Sequence, residues 1–273
     1  MIYEKCWCGS GEFKKHAGFR IKFFDRSSPK IEIVECKNCR TIRMYDNSLK
    51  AIPDYQSSYE YQKLSGRHSR TIQTIAQNYF GTSVLDVGCN TGILLSGVKN
   101  ELPQIGKLKG IDLDEKAIIT GKEKYGLDLE AKDLAELDGK YDNIILCHTL
   151  EHILELEETF QKLDELLNPN GRLFFSVPNI KSFNARTALR LWKSLSPKYH
   201  LWYFDINSMT KCFNKFLPEY KVIHSSSYFT WAPLYYSEPV WKIMRKQTPG
   251  LVEKLENNFW GDQLDVALQK PGN

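Results

Sequence analysis

The sequence predicts an α/β protein, a doubly wound parallel sheet with a small β module ahead of it. Three observations carry this. From Ser83 to Val177, buried-type apolar runs alternate with amphipathic stretches of helical period, the rhythm of parallel strands covered on both faces. The apolar run Val84-Leu-Asp-Val-Gly-Cys-Asn-Thr-Gly92 passes through two glycines into a helical pattern. Four of the seven cysteines, Cys6, Cys8, Cys36 and Cys39, precede the alternating region. At 273 residues the chain has room for one standard domain and an appendage.

In order, residues 1–50 hold short β-prone runs, Phe19 to Phe24, Ile31 to Glu35 and Thr41 to Tyr45, parted by turn-prone stretches such as Asp25 to Pro29. Residues 51–80 form a helical linker, with Ile72, Ile75, Ala76 and Tyr79 at helix spacing and Gly81 placed to end it. The domain proper spans 81–273. Its strands are expected at Ser83 to Val87, Leu108 to Asp112, Leu127 to Ala131, Asn143 to Cys147 and Arg172 to Val177. Helices are expected from Gly92, over Asp114 to Tyr125 and over Glu151 to Leu167. A basic, aromatic segment at 180–205 reads as a substrate lid. A helix near Asn207 to Phe216 and strands Tyr220 to Ser226 and Gln263 to Gln269 close the chain.

The formal charge of +4, from 37 basic and 33 acidic side chains, is too small for a protein that coats DNA, so a nucleic-acid partner is unsupported. No apolar run approaches the roughly 20 residues that span a bilayer, and no hydrophobic signal segment precedes Cys6. The chain reads as cytoplasmic, and clustered cysteines in a reducing compartment suggest metal rather than disulfide.

The chemistry concentrates at strand ends. Gly88 and Gly92 let backbone approach a ligand, and the helix start beyond them presents unpaired N–H groups. Asp86 suits a ligand with a positive centre or amino group. Asp112, in Gly110-Ile-Asp-Leu-Asp114, can accept both hydroxyls of a ribose. Asp133, in Ala131-Lys-Asp-Leu134, stands where an adenine amino group could donate to it. Three acids beyond the carboxyl ends of successive strands converge on one crevice.

With these pieces in order, together with Tyr141-Asp-Asn-Ile-Ile-Leu-Cys147, Leu150-Glu-His-Ile153 and Gly261-Asp-Gln-Leu-Asp-Val-Ala-Leu-Gln-Lys-Pro271, the sequence resembles the class I S-adenosylmethionine-dependent methyltransferases over about residues 55–271. The resemblance implies a seven-stranded Rossmann-like sheet and S-adenosyl-L-methionine as methyl donor. It implies Gly88 and Gly92 beside the methionine portion, Asp112 on the ribose, Asp133 near the adenine, and Cys147 to Leu150 lining the donor pocket. Asp86, Cys89, Asn90, Leu113, Leu134 and His148 complete the cofactor-binding set. The Gly88-x-x-x-Gly92 spacing departs from the Gly-x-Gly-x-x-Gly of dinucleotide-binding dehydrogenases.

His148-Thr-Leu-Glu-His152 stands where the related ubiquinone-pathway O-methyltransferases carry Glu-x-x-Glu-His, a sequence associated with a divalent metal; here His148 replaces the first acid. Such a cluster can ligate a metal or supply a general base. In the bland alternative, Glu151 and His152 cap and orient a helix while His148 packs near the cofactor. Pro197-Lys-Tyr-His-Leu-Trp-Tyr-Phe-Asp205 resembles the segment after the fifth strand in small-molecule and sugar methyltransferases. His200 is then either the base that deprotonates an acceptor hydroxyl or a buried histidine tying the loop to the sheet, with Tyr199 as alternate.

Lys181, Arg186, Arg190, Lys193 and Lys198 lie in a stretch without Asp or Glu. On one helix, Arg186, Arg190 and Lys193 would share a face. That face fits a clamp for an anionic acceptor, a peripheral contact with anionic lipid, or a solvated helix.

Cys36-x-x-Cys39 is a standard zinc knuckle, and Cys6-x-Cys8 is one residue short of one, so His16 could replace a thiol. The expected set is Cys6, Cys8, Cys36 and Cys39 around structural Zn2+, holding a 1–50 zinc-ribbon-like module with little core of its own. Comparable modules precede methyltransferase domains in enzymes acting on sugars. The expected activity is methyl transfer to a small acceptor, a saccharide or glycan-precursor hydroxyl, soluble or lipid-linked, with His200 or His152 as base. RNA methylation and a non-catalytic cofactor-binding scaffold are the alternatives.

Overall fold

The computed structural model describes residues 5–20, 30–45, 66–192, 194–195, 200–230, 241, 243 and 246–272. In chain order the elements are β1 (Phe13–Arg20), β2 (Lys30–Cys36), β3 (Ile42–Tyr45), α1 (Gly66–Asn78), β4 (Ser83–Val87), α2 (Ile93–Glu101), β5 (Lys107–Asp112), α3 (Glu115–Tyr125) and β6 (Asp128–Ala131). Then come β7 (Tyr141–Cys147), α4 (Leu156–Leu166), β8 (Leu167–Pro178), α5 (Phe183–Ala188), β9 (Trp202–Tyr203), α6 (Ile206–Phe216), β10 (Lys221–Tyr228), α7 (Pro249–Asn257) and β11 (Gln263–Gln269). The expected turn at 25–29 lies outside the described residues, as do residues 51–65 of the expected linker and Lys193, Lys198 and Tyr199. Among the described residues no helix is long and apolar enough to cross a membrane.

The chain forms two compact units. One draws on Met1–Asp54, Pro178–Lys215 and Ser227–Leu264, the other on Tyr55–Val177, Phe216–Ser226 and Asp265–Asn273. The proposed lid segment thus groups with the cysteine-bearing strands.

The second unit is built on a seven-stranded sheet ordered β10-β11-β8-β7-β4-β5-β6. Its β8-β7-β4-β5-β6 stretch is parallel throughout. Parallel neighbours need crossovers, which α2, α3 and α4 supply. The chain runs outward from β4 through β5 to β6, then returns to the other side of β4 with β7. That reversal opens a crevice at the carboxyl ends of β4 and β7. Strand β4 is buried at all five positions, which is why it reads as an unbroken apolar run with one acid. Ile72 and Ile75 of α1 join Val84, Leu95, Val98, Ile145 and Phe174 in one core, and Thr71 and Thr74 turn their hydroxyls toward buried Asp265. At α3, Asp114 caps the N-terminus by accepting from the Lys116 and Ala117 N–H groups, and Gly126 takes the left-handed conformation at the C-terminus.

The expected single helix from Glu151 to Leu167 divides in two. A 3-10 turn covers Leu150–His152, Ile153 is extended, and α4 begins at Leu156. The cause is local: His148 has positive φ and its ring holds the buried Glu151 carboxyl at 3.2 Å, fixing a tight turn before the helical run starts.

In the first unit, β1, β2, β3 and β9 form an antiparallel sheet in that order. Ile33, Ile42, Ile180, Ala185, Trp192 and Tyr203 form its core. Arg43 is almost fully buried, its guanidinium lying over the rings of Phe13 and Trp202 and donating to the Lys5 carbonyl, so the charge is met by ring faces and a dipole. Strand β1 begins at Phe13, six residues ahead of the expected start. It is an edge strand with exposed Lys14, Lys15 and His16, and pairing with β2 rather than apolar patterning makes it β. The expected basic helix through 181–200 is also replaced. Helix α5 stops at Ala188, whose φ of −150° breaks it, and a 3-10 turn follows at Leu189–Leu191. Trp192 is buried in the core beside Tyr203, so packing overrides the helical repeat and Arg186 and Arg190 do not share one continuous helix.

Candidate functional site

The strand-to-helix turn after β4 forms because glycine and asparagine tolerate its backbone. Gly88, Asn90 and Gly92 have φ of 73°, 51° and 74°, values that L side chains adopt at a cost. The Gly88 and Cys89 N–H groups donate to the Ile111 carbonyl, pinning the turn to the end of β5. A Cβ on Gly88 would lie 2.4 Å from Thr149 Oγ1, and that hydroxyl donates to the Val87 carbonyl at 2.9 Å. Gly110 likewise has no room, since its Cβ would meet the Cys89 sulfur at 2.8 Å.

Around this turn the structure gathers most of the acids and neighbours expected from sequence. Asp86 is 1% exposed, and neither carboxylate oxygen has a hydrogen bond among the described residues. Burial, helped by the nearby Asp112 charge, pushes its carboxyl up to about 8. A buried carboxyl without a donor is costly and asks for a cationic or hydrogen-bonding ligand. Asp112 accepts from the Asn90 N–H at 2.8 Å and the Asp114 N–H at 2.9 Å; burial raises its pKa and these donors pull it back. Leu113, beside it, is 76% exposed, an uncovered apolar side chain at the crevice. Asp133 is exposed and caps a 3-10 turn by accepting from the Ala135 N–H, with Leu134 half-buried. Cys89 is buried and its thiol is raised by burial first and then by Asp86 and Asp112, which makes it a packing group rather than a nucleophile.

Beyond β7, Cys147 and His148 are half-buried. The His148 N–H donates to the Ser176 carbonyl, while its Nδ1 meets Glu151. His152 is half-buried in the same turn. Thr149 falls inside the expected Cys147 to Leu150 lining, but its packing against Gly88 was not foreseen: nothing in a lone threonine after a strand signals that it buttresses a glycine. In the first unit, His200 is half-buried with its ring 6.0 Å from that of Tyr203.

The cysteines of the first unit form a second candidate centre. The Sγ atoms of Cys6, Cys8, Cys36 and Cys39 all lie within 4.8 Å of one another, with Cys6 to Cys39 at 3.5 Å and Cys8 to Cys36 at 3.6 Å. A tetrahedral zinc with Zn–S near 2.3 Å needs sulfurs about 3.8 Å apart, so the set fits. Hydrogen bonding from Cys6, followed by that from Thr41, holds the Cys39 thiol down to about 5, and Cys6 is raised in return. His16 does not join the group: its Nδ1 faces Glu35 at 3.8 Å. Knuckle backbone closes through Gly9 N–H to the Cys6 carbonyl and Arg40 N–H to the Cys36 carbonyl, with Gly9 and Arg40 both at positive φ.

A sheet switch point with acids such as Asp86 and Asp112 at the ends of neighbouring strands is common to many folds. What decides the family is the sequence pattern of the methyltransferase domain, which matches residues 58–216. The chain belongs to the methyltransferase-domain family. Among curated relatives, the chain is 34% identical over 119 residues to the ubiquinone biosynthesis O-methyltransferase of Bordetella avium, covering 40% of this chain and 47% of that one. It is 30% identical over 135 residues to the mitochondrial enzyme of that name from Saccharomyces cerevisiae, covering 46% and 43%. The chain thus spans less than half the length of these two relatives. Among solved structures, a SAM-dependent methyltransferase from Archaeoglobus fulgidus aligns with TM-score 0.52 at 18% identity, over 75% of this chain and 93% of that one. A possible histamine N-methyltransferase from Thermotoga maritima aligns with TM-score 0.55 at 13% identity, over 75% and 89%. At such identity the structures speak for the fold.

Proposed function

We propose that this methyltransferase moves the methyl group of S-adenosylmethionine to an oxygen of a small acceptor of saccharide or glycan-precursor class. The observation that carries the donor assignment is Asp86, a fully buried carboxyl without a hydrogen-bond donor, next to Asp112 at the switch point. When bound, the donor supplies an electrophilic methyl on a sulfonium. Asp86 holds its ammonium group, Asp112 its ribose hydroxyls, and Asp133 and Leu134 its adenine edge. Gly88 and Gly92 leave the backbone open to it, and Cys89, Asn90, Leu113, Cys147 and His148 complete the walls. The protein's remaining work is orientation and removal of one proton from the acceptor. His200 or His152 accepts it, with Tyr199 as alternate. The oxygen acceptor is supported by the relatives named ubiquinone biosynthesis O-methyltransferases, and the saccharide class by the zinc-ribbon-like module and the His200 segment. Cys6, Cys8, Cys36 and Cys39 hold a structural zinc, since four protein ligands leave no open position for water.

Incubation with labelled donor and separate pools of nucleotide sugars, glycans and RNA tests this. Label enters the saccharide pools; label entering RNA alone overturns the acceptor class. Calorimetry shows donor binding, weakened roughly 10- to 100-fold in Asp112→Asn, the loss expected for hydrogen bonds to a charged acceptor worth about 1.5–3 kcal/mol. An unchanged affinity removes Asp112 from the site. In the same assay, whichever of His200→Ala and His152→Ala removes the base lowers turnover while leaving donor affinity intact.

Asp86 gives a pH signature. Its folded pKa, about 8, lies above the ordinary 3.8, so the native state holds the extra proton and stability from this group falls as pH rises between those values. An ammonium ligand favours the ionised form. Donor binding therefore releases a proton at pH 7, and affinity rises from pH 6 to pH 8. Calorimetry in two buffers of different ionisation enthalpy reads the proton release, which Asp86→Asn abolishes.

A further inference from the structure

Helix α6 carries two lysines one helical turn apart, and each ends on the backbone of one cysteine knuckle. Lys211 Nζ donates to the carbonyl of Cys39 at 3.4 Å. Lys215 Nζ donates to the carbonyl of Trp7, the residue between Cys6 and Cys8, at 2.6 Å. Residues four apart share a helix face, and two like charges so placed repel in isolation. On the same helix, Met209, Cys212 and Phe213 are buried, which seats α6 firmly. Cys212 itself lies outside the sulfur group.

A divalent ion held by four thiolates leaves two surplus negative charges. We propose that Lys211 and Lys215 are the counter-charges of the four-cysteine centre, matching that surplus and tying each knuckle to α6. This inference rests on the zinc reading above. The lysines are positioning residues: they touch the carbonyls of the loops that carry the sulfurs, and their charge lowers the energy of the metal-bound thiolates. Outer groups of this kind typically govern metal affinity by about 10- to 100-fold.

The test compares the wild-type full chain with K211M/K215M and K211R/K215R. Zinc content is measured by mass spectrometry, zinc affinity by chelator competition, and the thiolate-to-metal charge-transfer band after cobalt substitution. One zinc per wild-type chain is expected. The double Met variant binds zinc at least 10-fold more weakly, and its cobalt band moves to lower energy because the thiolates lose their neighbouring cations. The double Arg variant returns both readouts toward wild type, which a merely structural loss would not do. Wild-type affinity and an unmoved band in the Met variant overturn the lysine assignment while the zinc reading stands. A zinc-free wild type overturns both.

Discussion

Gly88→Ala is expected to abolish donor binding and to destabilise the protein by about 2–5 kcal/mol. Two costs add. At φ 73° a side chain pays about 1–2 kcal/mol for the left-handed conformation. The new methyl would also press on Thr149 Oγ1 and Cγ2 at 2.4 and 2.7 Å, an overpacking cost of about 1–3 kcal/mol. Thr149 is β-branched and already committed to the Val87 carbonyl, so it cannot turn aside. Relief must come from the turn that carries Asn90, whose N–H holds Asp112 in place. The check is a thermal melt beside donor calorimetry. Gly88→Ala/Thr149→Ala should recover part of the lost stability, because the two changes share one contact. If the double variant is the sum of its parts, Thr149 is not the buttress.

Stripping the zinc proposed for the four-cysteine centre should have the largest effect of all, and it should be confined. Structural zinc sites contribute roughly 10–16 kcal/mol in small peptides, and the sheet they serve here has only a short core around Ile33, Ile42 and Tyr203. Cys36→Ala, which removes a fully buried ligand, or treatment with a strong chelator, is expected to erase amide-exchange protection in β1, β2 and β3. Protection in β4, β5 and β7 should persist, since they draw on the separate core around Val84, Leu95 and Ile145. Unchanged protection in β2 after the metal is gone would show that the centre does not hold the module together.

Legibility followed the source of each element's stability. Strands β4 and β11 have the ends expected from sequence: in β4 burial of every side chain writes itself as an apolar run with one acid, while β11, with Gln263, Asp265 and Gln269 among its residues, was marked by its likeness to the family's last strand. The acids at strand ends were visible because aspartate is rare in such runs. Elements held by partners rather than by their own pattern were not legible. The polar edge strand β1 needs β2, the break before α4 needs the Glu151 carboxyl on the His148 ring, and the end of α5 follows Trp192 into its core. Thr149 left no trace in the sequence because its role is only the space it denies to Gly88.

The order β10-β11-β8 means that the last strand in sequence lies between two earlier ones. A chain emerging from the ribosome therefore carries β8 with an open edge, and β10 with no neighbour in the sheet, until Gln263–Gln269 arrives. Pairing across such long loops is slow, and a bare edge invites other chains. Vectorial synthesis thus leaves this sheet vulnerable to aggregation until the final strand slots home, and a nascent chain stalled before Gln263 should be far more prone to clump than one released whole.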